Sequence, residues 1–307
     1  MSKKNSLGLV VAALVLALGL ANSASATVYP YAADAHTLHL WHFDEASGNV
    51  IDYGNSATKI NLWPNNAPSQ GASTYTGLGY SLNVAQAGAA KGGGVIGAGT
   101  GQGSTPLTYG NAEFMGADKS FTYEVNIRLN SITTQLYNGN SQSMILGHDG
   151  GNGSRNFDLK QYGANTIMFA SNPDVGADQV SMTIPTSGAN AWTATDWFNV
   201  AVTYNGTTKL ASMYWTKLTD TVTTANLVTT KTLQDDPMMG VNYFTVGAGA
   251  RSWSSRYIDG YIDEVRICDT VLTASQLINT IPEPSTVSLL GFAALGLFAS
   301  AWRRFRA

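Results

Sequence analysis

The chain has 307 residues, 44% of them hydrophobic and 12% charged, with a formal net charge of −3 at pH 7. Between Asp34 and Ile281 there are 12 basic and 19 acidic residues, a net charge of −7. This balance argues against nucleic acid as a partner, because nucleic-acid-binding proteins carry a basic patch. Cys268 is the only cysteine, which excludes an internal disulfide and a cysteine-based structural zinc site.

Residues 1–26 have the pattern of a secretory signal peptide. Lys3 and Lys4 precede a short apolar run, and Ala24-Ser25-Ala26 offers an A-x-A cleavage site. Cleavage there would leave Thr27 as the new N-terminus. The alternative is a membrane span or a buried helix.

Two long segments of the middle alternate between apolar and polar residues. In FTYEVNIRLN, which begins at Phe121, the odd-numbered positions are apolar and the even-numbered positions are polar. WFNVAVTYNG repeats the alternation from Phe198 to Tyr204. This pattern predicts strands with one buried face. Asn205-Gly206 then predicts a type I′ turn, with a return strand from Leu210 onward.

The rest of the middle is typical of short strands between polar, glycine-rich turns. Such strands are predicted in MILGHDGGNGSRNFDLKQYGANTIMFAS, in YFTVGAG and in YIDGYIDEVRI. The most biased stretch, Ala87–Gly103, is predicted to be a loop around one thin strand. Many short strands punctuated by turns, with weak helix signals, predict a β-sandwich.

The C-terminus carries a second membrane signal. The uncharged run Thr286–Trp302, roughly 17 residues, is close to the minimum that crosses a hydrocarbon core as a helix. Basic clusters stay on the cytoplasmic side, so the body of the protein would face outward. The residues that flank the run are Pro282, Glu283, Pro284, Arg303, Arg304 and Arg306.

This order of Pro-Glu-Pro, apolar helix and arginine cluster resembles the PEP-CTERM sorting signal of Gram-negative bacteria. The resemblance implies recognition by an exosortase-type sorting enzyme after a transient inner-membrane stage. It also implies removal of the tail and delivery to the cell surface or extracellular matrix. The alternative is an ordinary C-terminal anchor. The predicted organisation is therefore a signal peptide (1–26), a domain (34–281) and a sorting segment (282–307).

The domain itself resembles a laminin G-like domain of the concanavalin A-like superfamily. LHLWHFDEASGNVIDYGNSAT matches the family's opening, and FTYEVNIRL, WFNVAVTYNG and GYIDEVRICDTVLTASQL match later landmarks in order. The resemblance implies an all-β jelly roll of two curved antiparallel sheets. MYWTKLTDTVTT lacks the family's usual Asp-Gly turn after the hairpin, which leaves the next strand's register open. The segment 61–79 is longer than the family needs.

Catalytic patterns in the sequence are weak. Asp259 and Asp263 are four residues apart on one predicted strand, and Glu264 is expected to point to the opposite face. The Glu-x-Asp-x-x-Glu pattern of related glycosidases is absent. His36, His39 and His42 are three residues apart, so on a strand His39 points away from the other two and they cannot share a metal ion.

A structural calcium ion is one candidate cofactor. Ca²⁺ takes carboxylate and carbonyl oxygens, and jelly rolls of this family often use one to clamp their terminal strands. Asp44 belongs to the first predicted strand and Asp263 to the last. First and last strands commonly pair in such sandwiches, so the two carboxylates could lie close together. The alternative is a pair of surface or turn-capping acids.

Aromatic side chains in loops are the candidates for sugar binding, because a flat ring covers the apolar face of a sugar while polar neighbours bond its hydroxyls. The predicted ligand-binding residues are Trp253, Tyr257, Arg251, Arg256 and Trp63. The sequence therefore predicts an exported, non-catalytic protein that binds a glycan or a surface protein. A polysaccharide hydrolase or lyase, and a structural matrix protein without a specific ligand, are the alternatives.

Overall fold

The computed structural model describes residues 26–65, 68–84, 94–97, 107–108, 116–133, 142–149, 155–171, 176–237, 241–242, 244–248 and 257–282. The predicted signal peptide up to residue 25 and the sorting segment from Glu283 onward lie outside these residues, as does the predicted tail helix. No helix in the described part of the chain is long and apolar enough to cross a membrane.

The fold is all-β, as predicted. The strands are β1 (Ala26–Val28), β2 (Thr37–Trp41), β3 (Leu62–Asn65), β4 (Ser69–Ser73), β5 (Tyr80–Asn83), β6 (Gly94–Gly97), β7 (Leu107–Thr108), β8 (Phe121–Leu129), β9 (Gln142–Asp149), β10 (Arg155–Tyr162), β11 (Thr166–Ala170), β12 (Gln179–Thr183), β13 (Phe198–Asn205), β14 (Leu210–Lys217), β15 (Leu227–Thr232), β16 (Val241–Asn242), β17 (Phe244–Val246), β18 (Gly260–Cys268) and β19 (Thr280–Pro282). One short 3₁₀ turn, Gly176–Asp178, precedes β12.

The strands form two large antiparallel sheets. The seven-stranded sheet has the order β12-β11-β10-β9-β17-β6-β3. The eight-stranded sheet has the order β15-β14-β13-β8-β18-β5-β4, and β2 also pairs with β18. The thin strand predicted within Ala87–Gly103 is β6. Two further pairs, β1 with β19 and β7 with β16, form small sheets.

The main hydrophobic core contains residues of both large sheets. The odd-numbered residues of β8 and the even-numbered residues of β13 belong to it, as the alternation predicts. Aromatic rings dominate: Phe121 stacks on Tyr123 at 4.6 Å between centroids, and Phe198 stacks on Trp215 at 4.4 Å. Burial of such large side chains is the main stabilising contribution to a sandwich of this size.

A second apolar cluster covers the outer face of the eight-stranded sheet. It includes Val28 near the beginning of the domain and Leu272, Leu277 and Ile278 near its end. The even-numbered residues Thr122, Glu124 and Asn126 of β8 are therefore buried as well. The alternation predicted one buried face for this strand, but segments distant in sequence cover the other.

The predicted hairpin after β13 is present, but its turn differs from the prediction. The return strand begins at Leu210, which pairs with Asn205, so four residues rather than two form the turn. The residue with positive φ is Lys209, at 55°. Gly206 is required for a different reason: a Cβ there would overlap the backbone of Asp118.

Candidate functional site

β18 contains a β-bulge at the Asp263-Glu264 pair. The register with β8 shifts between Asp263 and Arg266, and Glu264 has a φ of 48°, which is rare for a side chain of this kind. Ile262 and Val265, on either side of the pair, both belong to the core, so the two acids between them both point away from it. The prediction that Glu264 faces the opposite side from Asp263 is wrong, because the inserted residue breaks the alternation.

Both acids of the bulge are fully buried and hydrogen-bonded to protein donors. Asp263 accepts from the Glu264 amide at 2.8 Å and from the Thr74 hydroxyl. Glu264 accepts from the Tyr31 amide at 2.8 Å and lies 2.8 Å from Nδ1 of His42. Burial, and then the charge of Glu264, raise the pKa of Asp263 well above its usual value. Burial also raises the pKa of Glu264.

Asp44 lies near enough to the bulge for its charge to raise the pKa values of both buried acids. Its Oδ1 accepts from the Tyr80 amide at 2.7 Å, and a Cβ at Gly79 would overlap its carboxylate. Three mutually repelling carboxylates provide the charge that a calcium ion would neutralise. Nevertheless, in the described ranges no group of three or more His, Cys, Asp or Glu residues is arranged to hold a metal ion. Any calcium site here would thus need backbone carbonyls or water as further ligands.

A buried ion pair lies beside the bulge on the same sheet. Glu124 on β8 accepts from Nε of Arg266 at 2.6 Å and lies 2.5 Å from its Nη2. The guanidinium also lies 4.1 Å from the ring centroid of Tyr31 and donates to the Gln276 carbonyl at 2.9 Å. Burial raises the pKa of Glu124 to about 7, although Arg266 opposes the shift. This network joins the terminal segments to the sheet.

Each of the three predicted strand histidines pairs with a different carboxylate. His36 lies 2.9 Å from Asp269, and the buried His39 lies 2.7 Å from Asp52. His42, described above, pairs with Glu264. The three rings therefore stabilise separate parts of the chain.

Trp63 lies at one edge of the seven-stranded sheet and is half-buried. Strand register places it in a row across the outer face of that sheet, followed by Ile96, Thr245, Gly147 and Asp158. Gly147 contributes no side chain to the row, and a Cβ at this position would lie only 2.7 Å from Cε of Met144. Thr245 and Asp158 are each only 1% exposed, so Trp63 is the most accessible of these three side chains.

A buried charge pair in this region was missed by sequence reasoning. Asp158 and Lys160 on β10 are 1% and 2% exposed and their side chains meet at 3.0 Å. Lysine is almost never buried without a partner. The signal was available in FDLKQY, where opposite charges two residues apart point to the same side of a strand.

The other predicted ligand-binding residues divide into two groups. Trp253, Arg251 and Arg256 lie outside the described residues. Tyr257 is only 2% exposed, and its backbone forms an isolated parallel β-bridge with Met144. It therefore packs into the domain rather than projecting from a loop. Of the predicted sorting residues, Pro282 ends β19 and the rest lie beyond the described chain.

Comparison with known families agrees with this architecture. A laminin G-type family model, described as the concanavalin A-like lectin/glucanases superfamily, matches residues 99–278. The chain belongs to this superfamily. A second family model, the PEP-CTERM protein-sorting motif, matches residues 280–304. The protein therefore combines a lectin-like sandwich with a signal of exported proteins. A search of curated proteins found no match.

Solved structures share the fold at low sequence identity. A botulinum neurotoxin type C chain, whose cell entry depends on interaction with two ganglioside molecules, matches with a TM-score of 0.54 and 15% identity over 79% of this chain and 50% of that one. The binding domain of botulinum neurotoxin serotype D matches with a TM-score of 0.50 and 11% identity, over 78% of this chain and 49% of that one. A Trypanosoma rangeli sialidase matches with a TM-score of 0.47 and 14% identity, over 89% of this chain and 38% of that one. This chain spans about half the length of the two neurotoxin chains.

Proposed function

We propose that this protein is a non-catalytic glycan-binding protein that is sorted to the cell surface or extracellular matrix of a Gram-negative bacterium. The observation that carries the proposal is the direct succession of a lectin-like sandwich and a sorting motif, which begins at residue 280, two residues after the family match ends. Export places the sandwich where polysaccharides are the abundant polymers. An exosortase-type enzyme would process the tail, and the inner membrane would hold it only transiently.

The described feature that best suits a sugar is the half-buried ring of Trp63, at the edge of the row defined above (the Trp63 row). A half-buried indole can cover the apolar face of a sugar ring while it remains anchored in the sheet. A single shallow platform binds weakly, in the micromolar to millimolar range, or about −8 to −4 kcal/mol. Several copies on one polymer would raise the retention through avidity. The loop residues Trp253, Arg251 and Arg256 remain predicted contributors.

The state of the buried acids favours binding over catalysis. Glycoside hydrolysis needs two carboxyl groups about 5–10 Å apart on either side of a substrate. Asp263 and Glu264 are adjacent, fully buried and bonded to protein donors, so neither is open to a polysaccharide. Release of reducing ends from any bound polysaccharide would instead favour the hydrolase.

A glycan array with the exported protein tests the proposal. Binding to a defined polysaccharide is expected, together with loss of retention in Trp63→Ala at a nearly unchanged melting temperature. Tyr80→Ala is the matched control, because Tyr80 is a 49% exposed aromatic residue on the other sheet. Absence of binding to any glycan would favour a structural matrix protein. Retention by Trp63→Ala with loss in Trp253→Ala would move the site to the loop.

A further inference from the structure

Within the described part of the chain, the outer face of the eight-stranded sheet carries a cation, Arg128, for which no hydrogen-bond acceptor is present. Arg128 on β8 points outward, because its neighbours Ile127 and Leu129 belong to the core. Its guanidinium carbon lies 3.8 Å from the ring centroid of Tyr261 and 5.8 Å from that of Trp197. Nε is buried and has no hydrogen-bond partner among the residues that the structure describes. The guanidinium therefore rests on aromatic rings rather than on a carboxylate.

This arrangement differs from that of the other basic residues with described contacts. Arg266, Lys160, Lys217 and Lys209 each pair with a carboxylate. Lys59 and Lys231 each donate to backbone carbonyls. In a domain with more acids than bases, a guanidinium without a carboxylate partner is not explained by the protein's own charges.

Strand register pairs Arg128 with Tyr261 and Tyr261 with Asn83. Trp197, the residue before β13, lies beside Arg128 and Tyr261. We call these four residues the Arg128 row. Trp197 is 5% exposed, whereas the other three are half-buried. Because Nε is the guanidinium nitrogen that is buried, the exposed part of the group is its Nη end. The guanidinium carbon lies over the Tyr261 ring, 3.8 Å from its centroid, and this contact restricts the movement of the group. The row thus offers the Nη donors of Arg128 beside an aromatic ring.

A planar pair of donors matches a carboxylate, which accepts two parallel hydrogen bonds from arginine. The aromatic neighbours of the guanidinium suit a sugar ring in a polymer better than a small anion. Repulsion by distant acids is weak, because charges more than about 8 Å apart are largely screened at physiological ionic strength. We propose that the Arg128 row binds a carboxylate-bearing sugar, such as a uronic acid residue of an acidic polysaccharide.

This row lies on the opposite sheet from the Trp63 row, so that the two proposals can fail independently. The test measures binding of the exported protein to an oligogalacturonate, to its methyl ester and to a poly-glutamate peptide. We expect the oligogalacturonate to bind, with the methyl ester at least tenfold weaker because the ester removes the charge. Arg128→Gln should weaken binding of the acid by about tenfold or more, the usual effect of losing charged hydrogen bonds.

Two further variants make the result specific. Lys209→Gln removes one positive charge from a partly exposed residue in the turn between β13 and β14 and should bind like the wild type. Arg128→Lys retains the charge but loses the planar fork, so it should bind less tightly than the wild type, and it serves as the test if Arg128→Gln does not fold.

Three results would overturn the proposal. The first is a wild-type protein that does not bind oligogalacturonate. The second is unchanged binding in folded Arg128→Gln and Arg128→Lys. The third is equal, Arg128-dependent binding of poly-glutamate, which would identify an acidic peptide as the ligand class.

Discussion

Replacement of Glu124 by leucine should strongly destabilise the domain. The change removes the acceptor of two donors of Arg266, Nε at 2.6 Å and Nη2 at 2.5 Å, on a side chain that is only 7% exposed. Breaking a buried ion pair from one side costs about 3–5 kcal/mol. Two hydrogen bonds to a charged group, at about 1.5–3 kcal/mol each, give a similar value of about 3–6 kcal/mol. Domains have a total stability of about 5–15 kcal/mol, so that about a fifth or more of the stability would be lost.

The assay is thermal and urea unfolding of the wild type and three variants. For a domain of this size, about 2–4 °C per kcal/mol predicts a decrease of about 6–20 °C in Tm for Glu124→Leu. Glu124→Gln keeps one acceptor and should lose less. The double variant Glu124→Leu/Arg266→Met should recover most of the loss, because an apolar pair leaves no stranded charge.

The double variant separates this reasoning from a simple packing defect. If Glu124→Leu costs less than about 1 kcal/mol, the pair is not effectively buried. If the double variant is as unstable as the sum of the single variants, the loss comes from packing and not from the stranded guanidinium. Either result would refute the assignment of the network as the link between the terminal segments and the sheet.

Three other predictions concern the cofactor, the response to acid and the processing of the chain. If Asp44 and Asp263 share a calcium ion that is present at 100 times its Kd, chelation should lower Tm by about 5–11 °C. Asp44→Asn should abolish this effect. An unchanged Tm on chelation would contradict the calcium site. Burial opposes ionisation of Asp52, but hydrogen bonds from His39 and from backbone amides outweigh burial and lower its pKa. The contribution of the ionised Asp52 to folding stability is therefore present above about pH 4 and is lost as the pH falls through the folded-state pKa. The stability difference between wild type and Asp52→Asn should therefore shrink in acid, whereas a difference independent of pH would contradict this. The intact mass of the exported protein should lack residues 1–26 and the tail; a mass that includes 289–307 would identify an anchor.

The sequence by itself determined the strands and their inward faces. The alternation in FTYEVNIRLN and WFNVAVTYNG depends only on the period of two along a strand, so it predicted β8, β13 and their core residues without knowledge of the neighbours. The return strand at Leu210 and the thin strand β6 followed from turn residues in the same local way. The sorting motif could also be predicted from the sequence, because its order of Pro-Glu-Pro, apolar run and arginine cluster is itself the sorting signal.

Only the tertiary structure decided what the outward-facing residues do. The second cluster buries Glu124 because residues more than 90 positions away cover it, and no local pattern encodes that contact. The sequence predicts Glu264 on the opposite face of the strand from Asp263. The bulge instead brings it beside His42, 222 residues away in sequence. Gly206 is needed where a different loop approaches it, at Asp118. Arg128 has an ordinary place in an alternating strand; its lack of a carboxylate partner follows from which side chains the neighbouring strands bring beside it.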